Sequence, residues 1–578
     1  MFKDRWNQWL DDLGLRVSSL DALPQLTMLA IPVGLLSGGV IILFRMLVES
    51  SQGLLFDSNE VENYETLAPL LRLLLPLAGG LLIGLLWQYL KKSTRQVGIV
   101  HVMERLNYHQ GHLPLGNALA QFVGAALSII SGHSVGREGP SVHLGATSGS
   151  QLGRWLRLPN NSRRTLVACG VAAAIAASFN TPLAGVIFAM EVVMMEYSLV
   201  SFGPVIMAAV TATTLTRAMY GSMPAFIVPS MQLGSLLELP YVILMGMVLG
   251  TLAALFIALL QRFTGLVTGW PVWTRCTLAG LATGLIAMVV PEVMGIGYET
   301  VNHALLGNMG LLLLAGIALA KLIATAAGLG LGLPGGLIGP TFVIGAAAGG
   351  AMGIIADVWL PGDIASPAFY AMIGMGTMMG ATLHAPLAAL TAMLELTANP
   401  NIILPGMLAL IAGGLVSREL FGKQSVYIEL MRTGGLDYRH NPLTQTLRRM
   451  GVASIMERRI KTLPSEVEHS TAMDALANEP KWIIITRDSK PAYLMPAADV
   501  ARFLQDKEDG DTIDLTEIPA DRNEIQSVDF QATLQEALSL LNSSDAEALY
   551  VIRRTTPGIE RVLGVLTRKD IESSYRVD

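Results

Sequence analysis

Gly136-Arg137-Glu138-Gly139-Pro140 interrupts an almost unbroken apolar stretch. A carboxylate at membrane depth is costly, about 2.5–3.5 kcal/mol on insertion scales, and residues that persist there mark ion or proton pathways. The flanking glycines and the proline suit a broken helix, whose freed backbone N–H groups can face an ion. Outward from this motif, the 578-residue chain is 52% hydrophobic and only 15% charged, with a mean hydropathy of +0.50. Soluble domains carry about 25% charged residues, so this is a polytopic α-helical membrane protein with a soluble part attached. Uncharged runs recur at 24–44, 73–90, 239–261, 301–320, 322–356, 364–394 and 396–417. About 20 apolar residues span a bilayer. Several runs are cut by Gly and Pro, as at Gly332-Leu333-Pro334-Gly335-Gly336. Irregular backbone at that depth is tolerated only inside protein or along a cavity.

A weak repeat divides the membrane part into two halves. Gly136-Arg-Glu-Gly-Pro-Ser-Val-His-Leu-Gly-Ala146 parallels Gly336-Leu-Ile-Gly-Pro-Thr-Phe-Val-Ile-Gly-Ala346, with a one-residue shift at the first glycine. Phe179-Asn-Thr-Pro-Leu-Ala-Gly185 parallels Leu383-His-Ala-Pro-Leu-Ala-Ala389, and each block runs on to an acid, Glu191 or Glu395. Related halves with broken helices are a transporter architecture. After about residue 430 charges become frequent and short apolar runs appear, such as Trp482-Ile-Ile-Ile-Thr486 and Ala548-Leu-Tyr-Val-Ile552. Two helix–strand–strand–helix units fit between 450 and 577. No basic stripe points to nucleic acid. Cys169 and Cys276 sit in apolar segments and read as packing residues, not a disulfide framework. The first residues, with Trp6, Trp9, Asp11 and Asp12, are no cleavable signal and read as a cytoplasmic or interfacial helix over 1–23.

These motifs, together with a late tyrosine, resemble the CLC chloride channels and chloride/proton antiporters, bacterial type. The tail looks like a CBS domain pair. The organisation expected is a CLC-like membrane domain over 24–430, a linker over 431–449, a degenerate first CBS unit over 450–507, a linker over 508–519, and a second unit over 520–577. The resemblance implies two inverted halves and a homodimer with one anion pathway per subunit. It also implies an inner-membrane location with both termini cytoplasmic.

Members of that family hold a dehydrated anion with helix N-termini and hydroxyl groups. A helix N-terminus offers roughly half a positive charge and free donors. Neutral donors bind an anion tightly enough to strip its water, yet release it. Glu138 matches the gating glutamate, whose carboxylate blocks the anion site and whose protonation opens it. Its protonation should respond to chloride, because a neighbouring anion disfavours the charged form. Gly136, Arg137 and Gly139 complete the anion-binding set around it, Arg137 as a source of field. Leu337 and Ile338 match a second loop whose amides face the anion, with Ile338 where a phenylalanine is usual. Tyr427 matches the tyrosine whose hydroxyl meets it. Val97 and Gly98 fall in the remaining motif, but Gln96-Val-Gly-Ile-Val100 replaces Gly-Ser-Gly-Ile-Pro. Val97 thus removes a hydroxyl donor, worth about 1–3 kcal/mol if nothing substitutes.

Glu191-Val192 is the second departure. Many family antiporters carry an inner proton-relaying glutamate where this chain has Val192, and valine carries no proton. The expectation is therefore a passive chloride channel gated by voltage or pH, with a proton-coupled antiporter as the alternative. Glu196 and Glu395 read as helix-end or packing acids, and His133 and His143, which flank the gate motif, as structural. In the tail, Thr567 and Asp570 match ribose-contacting residues for an adenine nucleotide, with Asp499 a weaker counterpart. No resident cofactor or metal site is expected, only chloride as ligand and lipid as surroundings. The chain is not expected to be an enzyme: it lacks both a phosphate-binding Gly-x-x-x-x-Gly-Lys loop and a His-Glu-x-x-His motif. A CBS-regulated divalent-cation transporter is the distant rival; it would need clustered acids facing a membrane cavity, and 322–394 offers only Asp357 and Asp363 close together.

Overall fold

A computed structural model describes residues 10, 13–18, 22–56, 63–197, 199–223, 226, 231–436, 442–488, 490–505, 512–556 and 559–575. Most of the expected 1–23 helix lies outside them. The chain divides into two compact units. One comprises Leu26–Leu152 and Arg164–Tyr438; the other comprises Arg439–Asp578 with Met1–Gln25 and Gly153–Arg163. The short 153–163 segment, expected within the membrane domain, therefore groups with the tail.

The membrane unit is built twice. Helices α1 (Leu23–Leu55), α2 (Pro69–Tyr89), α3 (Gly98–Tyr108), α4 (Leu115–Ile130), α5 (Glu138–Trp155), α6 (Asn160–Phe179), α7 (Pro182–Phe188) and α8 (Leu199–Tyr220) form the first half. The second half is α9 (Leu239–Leu266), α10 (Val272–Ala287), α11 (Tyr298–Leu305), α12 (Leu311–Leu331), α13 (Ile338–Trp359), α14 (Pro367–Leu383), α15 (Pro386–Thr397) and α16 (Ile403–Leu415). A last helix, α17 (Val426–Thr433), follows. Proline opens α2, α7, α14 and α15, where its fixed φ fits and its missing N–H costs nothing.

The breaks repeat as well. Gly132 after α4 and Gly332 after α12 both turn left-handed, at φ 75° and 105°. Asn180 after α6 and His384 after α14 do the same, at φ 60° and 53°. Gly136 pairs directly with Gly336, so the one-residue shift expected between the copies is not needed. In each half a glycine pair lets two helices touch: Gly145 of α5 meets Gly170 of α6, and Gly345 of α13 meets Gly374 of α14. A Cβ at any of the four would overlap the facing backbone.

Hydrophobicity sorts the helices by surroundings. Six are long and apolar enough to cross a membrane, among the described residues. α1 presents Leu35, Leu36 and Leu43 outward and α2 presents Leu82 and Leu85, as lipid-facing surfaces do. α14 is buried from Ala368 to Leu383.

The tail folds as two like modules sharing one six-stranded sheet. Strands β1 (Ile460–Pro464), β2 (Glu466–Glu468), β3 (Trp482–Arg487), β4 (Lys490–Pro496) and β5 (Thr512–Asp514) precede β6 (Asn523–Asp529), β7 (Ala548–Thr556) and β8 (Ile559–Thr567). The order is β1-β3-β4-β6-β7-β8, with β2 and β5 paired apart. Each module has a parallel pair and then a hairpin: β1 beside β3 and β3 with β4, then β6 beside β7 and β7 with β8. Alternation in β3 sends Ile483 and Ile485 into one core and Ile484 into another. The packing crosses the expected boundaries. Leu447, Met450 and Val452 belong to the second module's core, and Ile513, Leu515 and Ile518, from the expected 508–519 linker, belong to the first.

Candidate anion pathway

Two broken helices meet tip to tip. Gly136 N–H donates to the Gly336 carbonyl and Gly336 N–H to the Gly136 carbonyl, each at 2.7 Å. This two-bond bridge holds the N-termini of α5 and α13 together. Glu138, in the first turn of α5, is fully buried. Its Oε1 accepts from Gly339 N–H at 2.7 Å, at the start of the 22-residue helix α13. The carboxylate therefore sits where an anion gains most from the helix end. A Cβ at Gly136 or Gly336 would collide with it, so both positions require glycine for space. Glu138 Oε2 is buried and makes no hydrogen bond.

Beside this junction lies a cavity of about 150 Å³ lined by Val97, Gly98, Gly139, Gly336, Leu337 and Tyr427 among others. The N-terminus of α3 opens onto it. Its first residue, Gly98, is left-handed, and Val97 before it supplies no side-chain cap, so the first amides of α3 stay available. Tyr427 is buried, and its hydroxyl makes no hydrogen bond. A buried donor left open on a cavity is costly unless something occupies it. Open amides and a tyrosine hydroxyl face the cavity, and no cation stands among its lining residues.

Arg137, Gly136 and the Ile338 side chain do not line the cavity, while the Ile338 amide, the group expected to face the anion, reaches the Glu138 carboxylate. The guanidinium carbon of Arg137 lies 5.1 Å from the centres of both the Phe179 and Tyr298 rings. Cation–π contact of this kind favours a buried guanidinium. Ile338 turns its side chain to a separate apolar pocket with Phe179, Phe188 and Phe342. Gly136 acts through the Gly336 bridge rather than on the cavity.

Other polar groups at membrane depth were harder to read. The Glu191 carboxylate accepts from Leu387 and Ala388 N–H at 3.3 and 2.7 Å, capping α15. Glu395 accepts from Leu183 and Ala184 N–H at 3.0 and 2.7 Å, capping α7. Each acid thus caps the matching helix of the opposite half, so Glu395, read as a helix-end or packing acid, ties the two halves together. Their shared place in the repeat was the available signal. Val192 is a buried apolar side chain. Lys321, fully buried, donates to the Val293 and Gly295 carbonyls at 3.0 and 2.9 Å. Its signal was a lone lysine between two uncharged runs. His133 meets Ser131 Oγ at 2.8 Å, as a structural histidine does. His143 is not isolated: its Nε2 lies 2.8 Å from His101 Nδ1.

In the tail, Thr567 and Asp570 form a capping box. Asp570 Oδ2 accepts from Thr567 N–H at 2.9 Å, and Thr567 Oγ1 accepts from Asp570 N–H at 3.2 Å. Asp499 lies 3.9 Å from Arg502.

Residues 79–418 match the family model described as voltage gated chloride channel. The chain belongs to the CLC family. A putative chloride channel protein, ClcB-like, from Ralstonia nicotianae is 37% identical over 362 residues, which cover 62% of this chain and 84% of that protein. The voltage-gated ClC-type chloride channel ClcB of Escherichia coli is 33% identical over 413 residues, covering 69% and 97%. The crystal structure of a slow cyanobacterial Cl⁻/H⁺ antiporter superposes with a TM-score of 0.61 at 25% identity, over 71% of this chain and 98% of that one. A eukaryotic CLC transporter shares the fold over 96% of this chain at 19% identity and a TM-score of 0.61. This CLC protein is accordingly an integral membrane protein of a chloride-transporting family, and its relatives are channels and transporters rather than enzymes. Its tail is consistent with a CBS pair.

Proposed function

We propose that this CLC protein passes chloride through the cavity between α3, α13 and Tyr427, and that the Glu138 carboxylate blocks the pathway by standing in for the anion. The observation that carries the reading is the 2.7 Å bond from Gly339 N–H to Glu138 Oε1. A carboxylate at a helix N-terminus uses the donors a chloride ion would use. Protonation removes its charge and frees the site. Val192, apolar and buried, supports passive gated conduction over tight proton coupling. The antiporter reading draws on the cyanobacterial neighbour, which is a Cl⁻/H⁺ exchanger. Simultaneous chloride and proton flux from proteoliposomes separates the two. Chloride efflux without proton movement is expected, with faster, pH-independent flux in Glu138→Ala. Uphill proton uptake driven by chloride, lost in that variant, would establish exchange.

The working form is a homodimer in the bacterial inner membrane, with both termini cytoplasmic. Adenine nucleotide is the proposed tail ligand, near Thr567, Asp570 and Asp499. The capping box competes for the same oxygens. A thermal shift of the full-length protein with ATP, ADP or AMP, weakened in Asp570→Ala, is the expected outcome; no shift with any of them would remove the proposal.

A further inference from the structure

A second polar system lies behind the gate on the same helix. His101 of α3 and His143 of α5 are both buried, 2.8 Å apart between Nδ1 and Nε2, with rings stacked at 5.1 Å and 23°. Arg105 Nε donates to His101 Nε2 at 3.1 Å. A guanidinium only donates, so His101 Nε2 accepts and neutral His101 carries its hydrogen on Nδ1. That hydrogen is donated to His143 Nε2, which leaves the His143 hydrogen on Nδ1. His143 Nδ1 is buried and makes no hydrogen bond. The helix therefore holds an open donor at His143 and an open acceptor at Glu138 Oε2. Five residues separate them, about 7.5 Å along the axis and about 140° around it, so a proton passes between them only through intervening water.

We propose that His101 and His143 are the proton route to Glu138 from the face at which α3 and α5 end; this rests on the reading of Glu138 as the gate. When Arg105 swings aside, a proton binds His101 Nε2. The Nδ1 proton crosses to His143 Nε2, and the proton on His143 Nδ1 leaves for the Glu138 carboxylate, which becomes a neutral acid. Both rings end neutral with hydrogen on Nε2, and reset when their tautomers revert.

The surrounding charges favour passage over storage. Arg105 and His109 of α3 act on His101 as like charges, and Arg105 acts also on His143. Arg164 of α6 donates to the Leu106 carbonyl at the end of α3. On the π-helical segment Ala189–Met194, which packs against α3, Glu191 is committed to the start of α15. On α17, Glu429 accepts from Gln261 and from Gln424 N–H, and Tyr427 faces the anion cavity. Of α5's own groups, Arg137 is held between aromatic rings. Among the described residues no acid pairs with either histidine, so a proton gains no lasting partner there.

The test uses full-length protein in everted membrane vesicles, which hold every copy in one orientation, with pH set separately inside and outside. Wild-type chloride flux should rise when either face is acidified. His143→Gln and His101→Gln should slow the flux evoked by acid at one face alone, on the order of tenfold, while the response to the other face persists. Arg105→Met, which leaves both histidines in place, should strengthen the response to that same face and keeps the test open if loss of an imidazole prevents folding. Unchanged responses in all three variants, with Glu138→Ala insensitive to pH at both faces, would overturn the route and leave the gate standing. A Glu138→Ala protein that still answers to pH would instead overturn the gate, and the route with it.

Discussion

At the scale of single residues, the proposed anion site is short of one hydroxyl and keeps another. Tyr427 Oη is buried without a partner, so an anion in the cavity is its natural acceptor. Hydrogen bonds to charged groups contribute about 1.5–3 kcal/mol. Tyr427→Phe should therefore weaken chloride binding by roughly tenfold or more, as read by titration calorimetry on detergent-solubilised protein. Val97 works in the opposite direction. Its backbone already has the extended N-cap geometry, φ −144° and ψ 174°, with no side-chain cap. Serine fits that backbone, and Val97→Ser should tighten chloride by about 1 kcal/mol, or roughly fivefold. Equal affinity in wild type and variant would mean that the anion does not reach the start of α3. Arg137 shows a different residue-scale lesson. Read in the sequence as a source of field, its guanidinium lies against aromatic faces from α11 and from α6.

At the scale of elements, the two halves are locked by features that recur at matching positions. Gly345 and Gly374 touch backbone to backbone, as Gly145 and Gly170 do. Gly345→Ala places a methyl group in contact with immovable backbone, and should destabilise by about 1–3 kcal/mol as overpacked cores do. Gly316, inside α12, meets nothing within 4 Å of its missing Cβ, so Gly316→Ala should instead stabilise by about 0.5–1 kcal/mol through helix propensity. Thermal melts of the two variants in one detergent should move in opposite directions. Glu395 caps α7 from across the repeat, and Glu395→Gln should lower stability by about 1 kcal/mol by weakening a charge at a helix N-terminus.

These same elements show what the sequence could disclose. Gly-x-x-Gly-Pro blocks, the two Pro-Leu-Ala blocks and the acids after them revealed the repeat, because each residue type there is forced by local backbone or by burial. What the strings could not disclose was which faces meet. His101 and His143 lie 42 residues apart on different helices, and no local spacing marks them as a pair. Glu395 likewise looks like a packing acid until the halves are brought together.

At the scale of the whole molecule, the tail's modules are interleaved rather than sequential, and this fixes how the chain can be cut. The first core needs Ile513, Leu515 and Ile518, which follow its last helix, Ala497–Leu504, and the second needs Leu447, Met450 and Val452, which precede its own strands. Burying one large aliphatic side chain contributes about 1.5–3 kcal/mol. Three of them amount to about 5–9 kcal/mol, as much as a small domain's entire stability. Truncation after residue 507 should therefore unfold the first module as well as remove the second. Truncation after residue 520 retains Ile513, Leu515 and Ile518 and should leave that module folded. β4 pairs with β6 through Tyr493 and Leu494 opposite Glu524 and Asn523, so the longer truncation still exposes a strand edge, and an exposed edge favours association. Limited proteolysis of the two truncated full-membrane proteins separates the outcomes. The shorter should lose its tail to protease within the 450–507 region, and the longer should resist there. Equal resistance would mean that the first core holds without Ile513, Leu515 and Ile518.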